Sequence, residues 1–221
     1  MDNIRIAIDG PAGAGKSTIA KKLAQRLNIT YIDTGAMYRA LTYKIITNNV
    51  DINDIESINK LIEDTEITIL KNDLYLDNYL LDDSKIRSHD VNEKVAHIAQ
   101  LPEARKKLVA LQQKIALNNS VIMDGRDIAT HVLPNADIKI YLTASVKERA
   151  LRRYKELIKK DPNIELESIE RSIIERDNID SKRKYAPLKK DDDAIIIDTT
   201  GLGIDEVINK IIDIIKDKKL I

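Results

Sequence analysis

Residues 4–20 read Ile4-Arg5-Ile6-Ala7-Ile8-Asp9-Gly10-Pro11-Ala12-Gly13-Ala14-Gly15-Lys16-Ser17-Thr18-Ile19-Ala20. Ile4–Ile8 is a short apolar run suited to a buried strand, glycines interrupt it, and a helical period follows through Ile19, Leu23 and Leu27. The stretch between, Gly10–Ser17, satisfies G-x-x-x-x-G-K-[ST] in full. Glycines let peptide N–H groups turn inward around phosphate oxygens. The helix that follows points its positive end at the same anion. Lys16 is placed to reach the β- and γ-phosphates of a nucleoside triphosphate and Ser17 to ligate Mg²⁺. Gly10, Pro11, Ala12, Gly13, Ala14, Gly15, Lys16, Ser17 and Thr18 are therefore candidate ATP-binding residues. The competing reading is a tight glycine turn without ligand.

Outward from this loop, strand and helix periods alternate. Ile29–Ile32 reads as a second strand, Ala36–Ile46 as a helix, and Ile55, Ile58 and Ile62 share a helical face. The middle differs: Glu66–Leu70, Leu74–Leu76 and Tyr79–Leu81 are short β-type runs with Asn72-Asp73 and Asp77-Asn78 as turns. This is a small meander inserted into an α/β protein. Asp90 is expected to cap a helix reaching about Gln100, and Pro102 to open another reaching about Leu117. Val121–Met123 and Ile138–Leu142 return to strands. Ser145-x-x-Glu148 is a capping-box pattern opening a helix to about Lys160. Asp161-Pro162-Asn163 is a break, Leu166–Ile179 a helix, Lys182–Asp193 a loop and Ala194–Ile197 a strand. The last helix carries Ile204, Val207, Ile208, Ile211, Ile212 and Ile215 on one face. Alternating β and α elements imply a parallel sheet with helices on both sides, a three-layer α/β fold.

Composition narrows the function. The 221 residues carry 36 basic and 36 acidic side chains, so the formal net charge is zero. Bulk attraction to nucleic acid or to an anionic membrane is not expected. There is no cysteine, which excludes disulfides and thiolate chemistry. No apolar run is long enough to span a bilayer, and Met1–Arg5 shows no signal-peptide core. The expected setting is a reducing cytoplasm.

A phosphate loop serves switches, motors and kinases alike. An acidic residue ending a neighbouring strand is expected to hold Mg²⁺ through water; Asp124 and Asp33 both fit, each with a helix cap or turn as the alternative role. Three features point to a second phosphate compound. Asp33-Thr34-Gly35-Ala36-Met37-Tyr38-Arg39 puts a guanidinium at a helix start. Asp124-Gly125-Arg126-Asp127 lies at a strand end, where α/β proteins bind ligands. Arginines are dense from Arg149 to Arg183: Arg149 and Arg153 are four apart, and Arg176, Asp180 and Arg183 follow the same helical order. A solvated, salt-bridged helix is the plain alternative, but Arg suits bidentate contact with phosphate.

The sequence resembles the bacterial cytidylate kinases, within the nucleoside monophosphate kinase family. The matching segments are Ile8-Asp9-Gly10-Pro11 with the phosphate loop, the Asp33–Arg39 and Asp124–Asp127 segments, Glu175-Arg176-Asp177, Ala186-Pro187-Leu188 and Asp198-Thr199-Thr200. The resemblance implies a phosphate-loop core (1–62, 100–148 and 184–221), a CMP-binding insert at 63–99 and a helical lid at 149–183. It implies that Thr34, Tyr38, Arg39 and Arg126 contact the CMP phosphate, and that Arg105 and Asp127 address the cytosine. Arg176, Asp180 and Arg183 are expected to line the nucleotide sites, and Arg149 and Arg153 to lie on the ATP side. Lys16, Arg126, Arg176 and Arg183 are the expected catalytic residues. Two positions depart from the family: Ala96 stands where Ser is frequent, and Ala129 where glycine is usual.

The activity this implies is phosphoryl transfer from ATP, with Mg²⁺, to CMP or dCMP, by a monomer using small-molecule substrates, with neither nucleic acid nor membrane as partner. A phosphate oxygen acceptor is ionised near neutral pH, so no general base is needed. A kinase for another monophosphate such as UMP, and a nucleotide-controlled switch with slow hydrolysis, are the alternatives.

Overall fold

The computed structural model describes residues 3–70, 73–159 and 161–220. The chain divides into two compact units, one formed by the stretches up to Tyr31 and from Asn119 onward, the other by Ile32–Asn118.

The first unit is organised by β1 (Arg5–Asp9), the strand expected from Ile4–Ile8. Every residue from Ile6 to Asp9 is buried, because neighbours flank it on both edges. It pairs in parallel with β6 (Val121–Gly125) on one side and β7 (Ile138–Thr143) on the other. β7 in turn pairs in parallel with β8 (Ile195–Asp198). With β2 (Thr30–Asp33) at the far edge, the strand order is β2-β6-β1-β7-β8, and helices lie on both sides of the sheet. On one face, α1 (Lys16–Leu27) and α9 (Ile204–Asp217) close a single core. Ile19 and Leu23 meet Ile6, Ile8, Ile122 and Ile140, and the α9 stripe Val207, Ile208, Ile211 and Ile215 completes it. A chain without Phe or Trp thus fills its core with branched aliphatics, which suit densely paired parallel strands.

The arginine-rich stretch folds as α7 (Val146–Leu157) and α8 (Leu166–Lys182). They are joined through a small apolar cluster of their own, Ala150, Ile169 and Ile173, with Tyr154 and Leu157 packed against it. Ser145 Oγ accepts the Glu148 N–H at 3.2 Å, as the capping pattern predicts. α7 ends at Leu157, short of the expected Lys160, which lies outside the described residues. α8 runs on to Lys182, three residues past the expected Ile179.

The second unit holds α2 (Thr34–Thr47), α3 (Ile55–Glu63), the meander β3 (Ile67–Leu70), β4 (Asp73–Leu76) and β5 (Tyr79–Leu80), and α4 (Asp83–Ile86), α5 (His89–Ile98) and α6 (Pro102–Leu117). The meander is antiparallel, as expected, and Asp77 and Asn78 take left-handed backbone at its second turn. The other expected turn included Asn72, outside the described residues; Asp73 belongs to β4. One expectation needs correction, and one element lies outside the expectations. Asp90 is not the cap of α5: Ser88 occupies that position, and Asp90 lies in the first turn, where a carboxylate favours the positive helix end. The short helix α4 was not foreseen, because four residues carry no periodic signal.

One steric constraint fixes the turn out of β1. Gly10 has φ +149°, and a Cβ there would stand 1.9 Å from the Leu142 carbonyl oxygen of β7. Gly10→Ala must therefore part β1 from β7 or break the turn. A cost of about 3 kcal/mol corresponds to a Tm lower by about 6–12 °C for a chain of this size. Thermal unfolding followed by circular dichroism checks it, and an unchanged Tm would refute the close approach.

Candidate active site

The phosphate loop curls between β1 and α1. Gly13 and Gly15 take left-handed backbone at φ +75° and +87°, which turns the loop's peptides toward its interior. The Lys16 ammonium is folded into this curl and donates to the Pro11 carbonyl at 2.8 Å. Burial, then repulsion from the Arg126 guanidinium, lowers Lys16 to about 7 against the pull of Asp124, Asp9 and Asp180. It is an amine held where water cannot stabilise its charge, beside a loop of amide donors, and a bound phosphate restores its preference for the charged form.

At the end of β6, Asp124 accepts from Ser17 Oγ at 2.8 Å and from the Tyr31 hydroxyl at 2.8 Å. Ser17 and Asp124 form the hard-oxygen set that suits Mg²⁺. Asp33 is differently engaged: it caps α2 by accepting the Ala36 N–H at 2.8 Å, and its other oxygen pairs with Arg87 at 2.8 Å. Of the two aspartates considered for the metal, Asp33 fills the cap role and Asp124 touches the phosphate-loop serine.

Beyond Asp124, the chain leaves the sheet through Gly125-Arg126-Asp127. Arg126 Nε donates to Asp180 at 2.8 Å, and Arg176 Nε reaches the same carboxylate oxygen at 3.2 Å. Burial works to raise the Asp180 carboxyl, but the two guanidiniums overcome it and hold it below its usual range. Arg183 pairs with Asp127 at 2.9 Å, both side chains buried. Arg183 also donates to the Ala186 carbonyl. Ala186 sits at φ +49° just before Pro187, a backbone state costing about 1–2 kcal/mol for alanine. Five of the expected site residues, Arg126, Asp127, Arg176, Asp180 and Arg183, are thus tied by ion pairs.

Several supporting groups lie outside the set expected from the sequence. Asp9, buried at the end of β1, accepts the N–H groups of Ile128 and Ala129 at 2.9 and 2.8 Å. It thereby holds a π-helical turn, Ile128–Val132, directly after Asp127. Burial raises its carboxyl to about 7, against these two donors. The alanine at 129 fits because its N–H, not a missing Cβ, is what the loop uses; it is not among the described residues with positive φ. Arg149, expected near ATP, is 4% exposed and donates to the carbonyls of Ala144 and Ala12 at 3.0 and 2.7 Å and to Asp177 at 2.6 Å. Its neighbour Arg152 lies across from Gly15 and donates to Thr199 through both Nη atoms. Arg153 is half-buried. The signal for Arg152 was present: it lies one turn from Arg149 on the same helix.

In the second unit, Thr34, Tyr38 and Arg39 share the start of α2. Arg39 donates to Asn92 of α5 at 2.6 Å. The Arg105 guanidinium, buried on α6, lies 5.7 Å above the Tyr38 ring and donates to the Ala99 carbonyl at 3.3 Å. Ala96 is buried on α5.

A sequence model of cytidylate kinase matches residues 6–217. The chain belongs to the cytidylate kinase family. It is 58% identical to a cytidylate kinase of Alkaliphilus oremlandii over 98% of this chain and 99% of that one. It is 49% identical to one of Clostridioides difficile over 96% and 98% of the two chains. Among solved structures, an uncharacterized protein from Eubacterium ventriosum shares the fold at a TM-score of 0.55 and 17% identity, covering 98% of this chain and 99% of that one. Among the described residues, no helix is long and apolar enough to cross a membrane.

The lowered pKa of Lys16 gives a measurable signature. Unliganded at pH 8, a lysine near 7 is mostly neutral; an anion in the loop raises it, so binding ATP takes up about one proton. Calorimetry in two buffers of different ionisation enthalpy measures the uptake, which should vanish in Lys16→Met. Equal uptake in both proteins would overturn the assignment. In the free protein, the lowered value means that the unfolded chain binds more protons between pH 7 and the usual lysine range. This group's contribution to stability therefore rises with pH across that window.

Proposed function

We propose that this kinase transfers the γ-phosphoryl group of ATP to the phosphate of CMP or dCMP, giving ADP and CDP or dCDP. The observation that carries the reading is the cluster of Arg126, Arg176 and Arg183, each paired with a carboxylate, together with the buried Lys16 of a complete phosphate loop, in a chain of the cytidylate kinase family. Two polyanions must be brought together, and two like charges at 4 Å repel by about 4 kcal/mol at an effective dielectric of 20. Convergent guanidiniums and Lys16 offset this and hold the charge of the transferring group without reorganisation. Asp180 and Asp127 keep these cations in place before substrate arrives.

Within this reading, residues Gly10–Thr18 with Arg149 and Arg153 serve ATP. Arg126, Asp127, Arg176, Asp180, Arg183, Thr34, Tyr38, Arg39 and Arg105 are the residues assigned to CMP. Ser17 and Asp124 would hold Mg²⁺, Asp124 through water; the ion supplies charge neutralisation at the phosphates. The α7–α8 hairpin, with its own apolar cluster, is the lid (149–183), residues 63–99 are the CMP insert, and the remainder is the core. The enzyme acts as a cytoplasmic monomer on small molecules, without nucleic acid or membrane.

Cytosine presents an amino donor and a ring acceptor, which suit a carboxylate and a guanidinium; uracil presents the reverse. We assign Asp127 and Arg105 to that reading. Coupled assays with CMP, UMP and AMP test the acceptor: ADP release should depend on CMP. Arg105→Met and Asp127→Asn should lower kcat/KM for CMP and narrow the CMP:UMP ratio by about tenfold or more. Equal losses for both substrates would remove the base-reading assignment, and ATP turnover indifferent to acceptor would remove the kinase reading.

A further inference from the structure

Asp177 lies on α8 between Arg176 and Asp180, yet its side chain turns away from their ion-pair cluster. One oxygen accepts the Ala12 N–H at 2.9 Å, and the other accepts from Arg149 Nη1 at 2.6 Å. The same Arg149 nitrogen donates to the Ala12 carbonyl at 2.7 Å. Both polar groups of one phosphate-loop residue are thus gripped by one ion pair, whose acid comes from α8 and whose base comes from α7. Arg149 is further fixed by the Ala144 carbonyl at the end of β7, and its Cβ lies 3.1 Å from where a side chain on Gly13 would begin. This leaves little freedom for the base of the hairpin relative to the loop.

The consequence follows from the helix geometry. Arg176 is the residue before Asp177, Asp180 one turn beyond, and Arg183 caps the end of α8. Fixing Asp177 on Ala12 sets the axial position and rotation of α8, and with it the placement of those three side chains against the phosphate loop. We propose that Asp177 is a positioning residue for phosphoryl transfer, clamping the Ala12 peptide with Arg149 so that the α8 guanidiniums stand in register with the phosphate loop. Asp177 itself is not one of the substrate-facing groups: it acts through Ala12 and α8. The proposal rests on the kinase reading above.

The effect belongs in turnover rather than in substrate affinity. The loop's remaining amides and Lys16 still bind ATP when the clamp is lost, but guanidiniums displaced by an ångström no longer meet the transferring group. A misplacement of that size lowers rate by up to about 100-fold. Steady-state kinetics on wild type, Asp177→Ala, Arg176→Ala and the double variant test this. Asp177→Ala should lower kcat about 10- to 100-fold while KM for ATP and CMP moves less than about threefold. In the Arg176→Ala background the same change should cost at least about threefold less than in wild type, because one of the guanidiniums it positions is already gone. Multiplicative losses in the double variant would overturn the proposal, as would an unchanged kcat with only a lower Tm, or a raised KM with kcat intact. Should Asp177→Ala fail to fold, the near-isosteric Asp177→Asn completes the cycle: its amide cannot accept from Arg149 and Ala12 together. Wild type inactive on CMP would instead count against the kinase reading and leaves the two failures distinct.

Discussion

Positive charge must be concentrated around the phosphate loop before any phosphate is present, and most of this structure answers that constraint. Lys16, Arg126, Arg149, Arg176 and Arg183 would repel one another if simply packed together. Each guanidinium is instead held by a carboxylate: Arg126 and Arg176 by Asp180, Arg183 by Asp127, and Arg149 by Asp177. Lys16 has no such direct ion pair among the described contacts and donates to a carbonyl, and burial lowers it to about 7. Buried ion pairs contribute little net stability, since desolvation offsets most of the attraction. Their value here is placement: the cations already sit where an anionic transition state needs them.

The carboxylates also tie the site to the sheet. Asp9 ends the central strand and takes two amides from the turn after Asp127, while Asp124 ends the adjacent strand and meets Ser17. Parallel strands deliver both acids to the same end of the sheet, because β1 and β6 pair in register with Ile8 opposite Asp124 and Asp9 opposite Gly125. Gly10, pressed against the Leu142 carbonyl, lets the chain turn at once from strand to loop. The site's rigidity is thus inherited from the all-aliphatic core beneath it.

Much of this was legible in the chain itself. The strand, loop and helix from Arg5 to Leu27, the meander of β3 to β5, the start of α6 at Pro102 and the apolar stripe of α9 all follow from local periodicity and turn chemistry. Each is decided by residues within a few positions of one another. The short α4 and the π-helical turn after Asp127 escaped notice because they are too brief for a period and exist to satisfy distant contacts. The missed start of α5 is of the same kind: Ser88 and Asp90 are both suited to a helix N-terminus, and only packing chooses between them.

The sequence by itself determined that a nucleoside triphosphate loop stands between a buried strand and a helix, since Gly10–Ser17 requires only its own peptides and the flanking elements. It also supplied the arginines of α7 and α8 as a helical array. Only the tertiary structure decided what each charge does. Arg149 became a prop for the loop and Arg152 the neighbour of Gly15, Asp33 became a cap and Asp124 the partner of Ser17, and Asp177 was aimed at Ala12 rather than at the arginine beside it. The physical reason is that an ion pair's partner is fixed by distance in space. Asp177 and Ala12 are 165 positions apart in the chain, and no local pattern of propensity or spacing records their meeting.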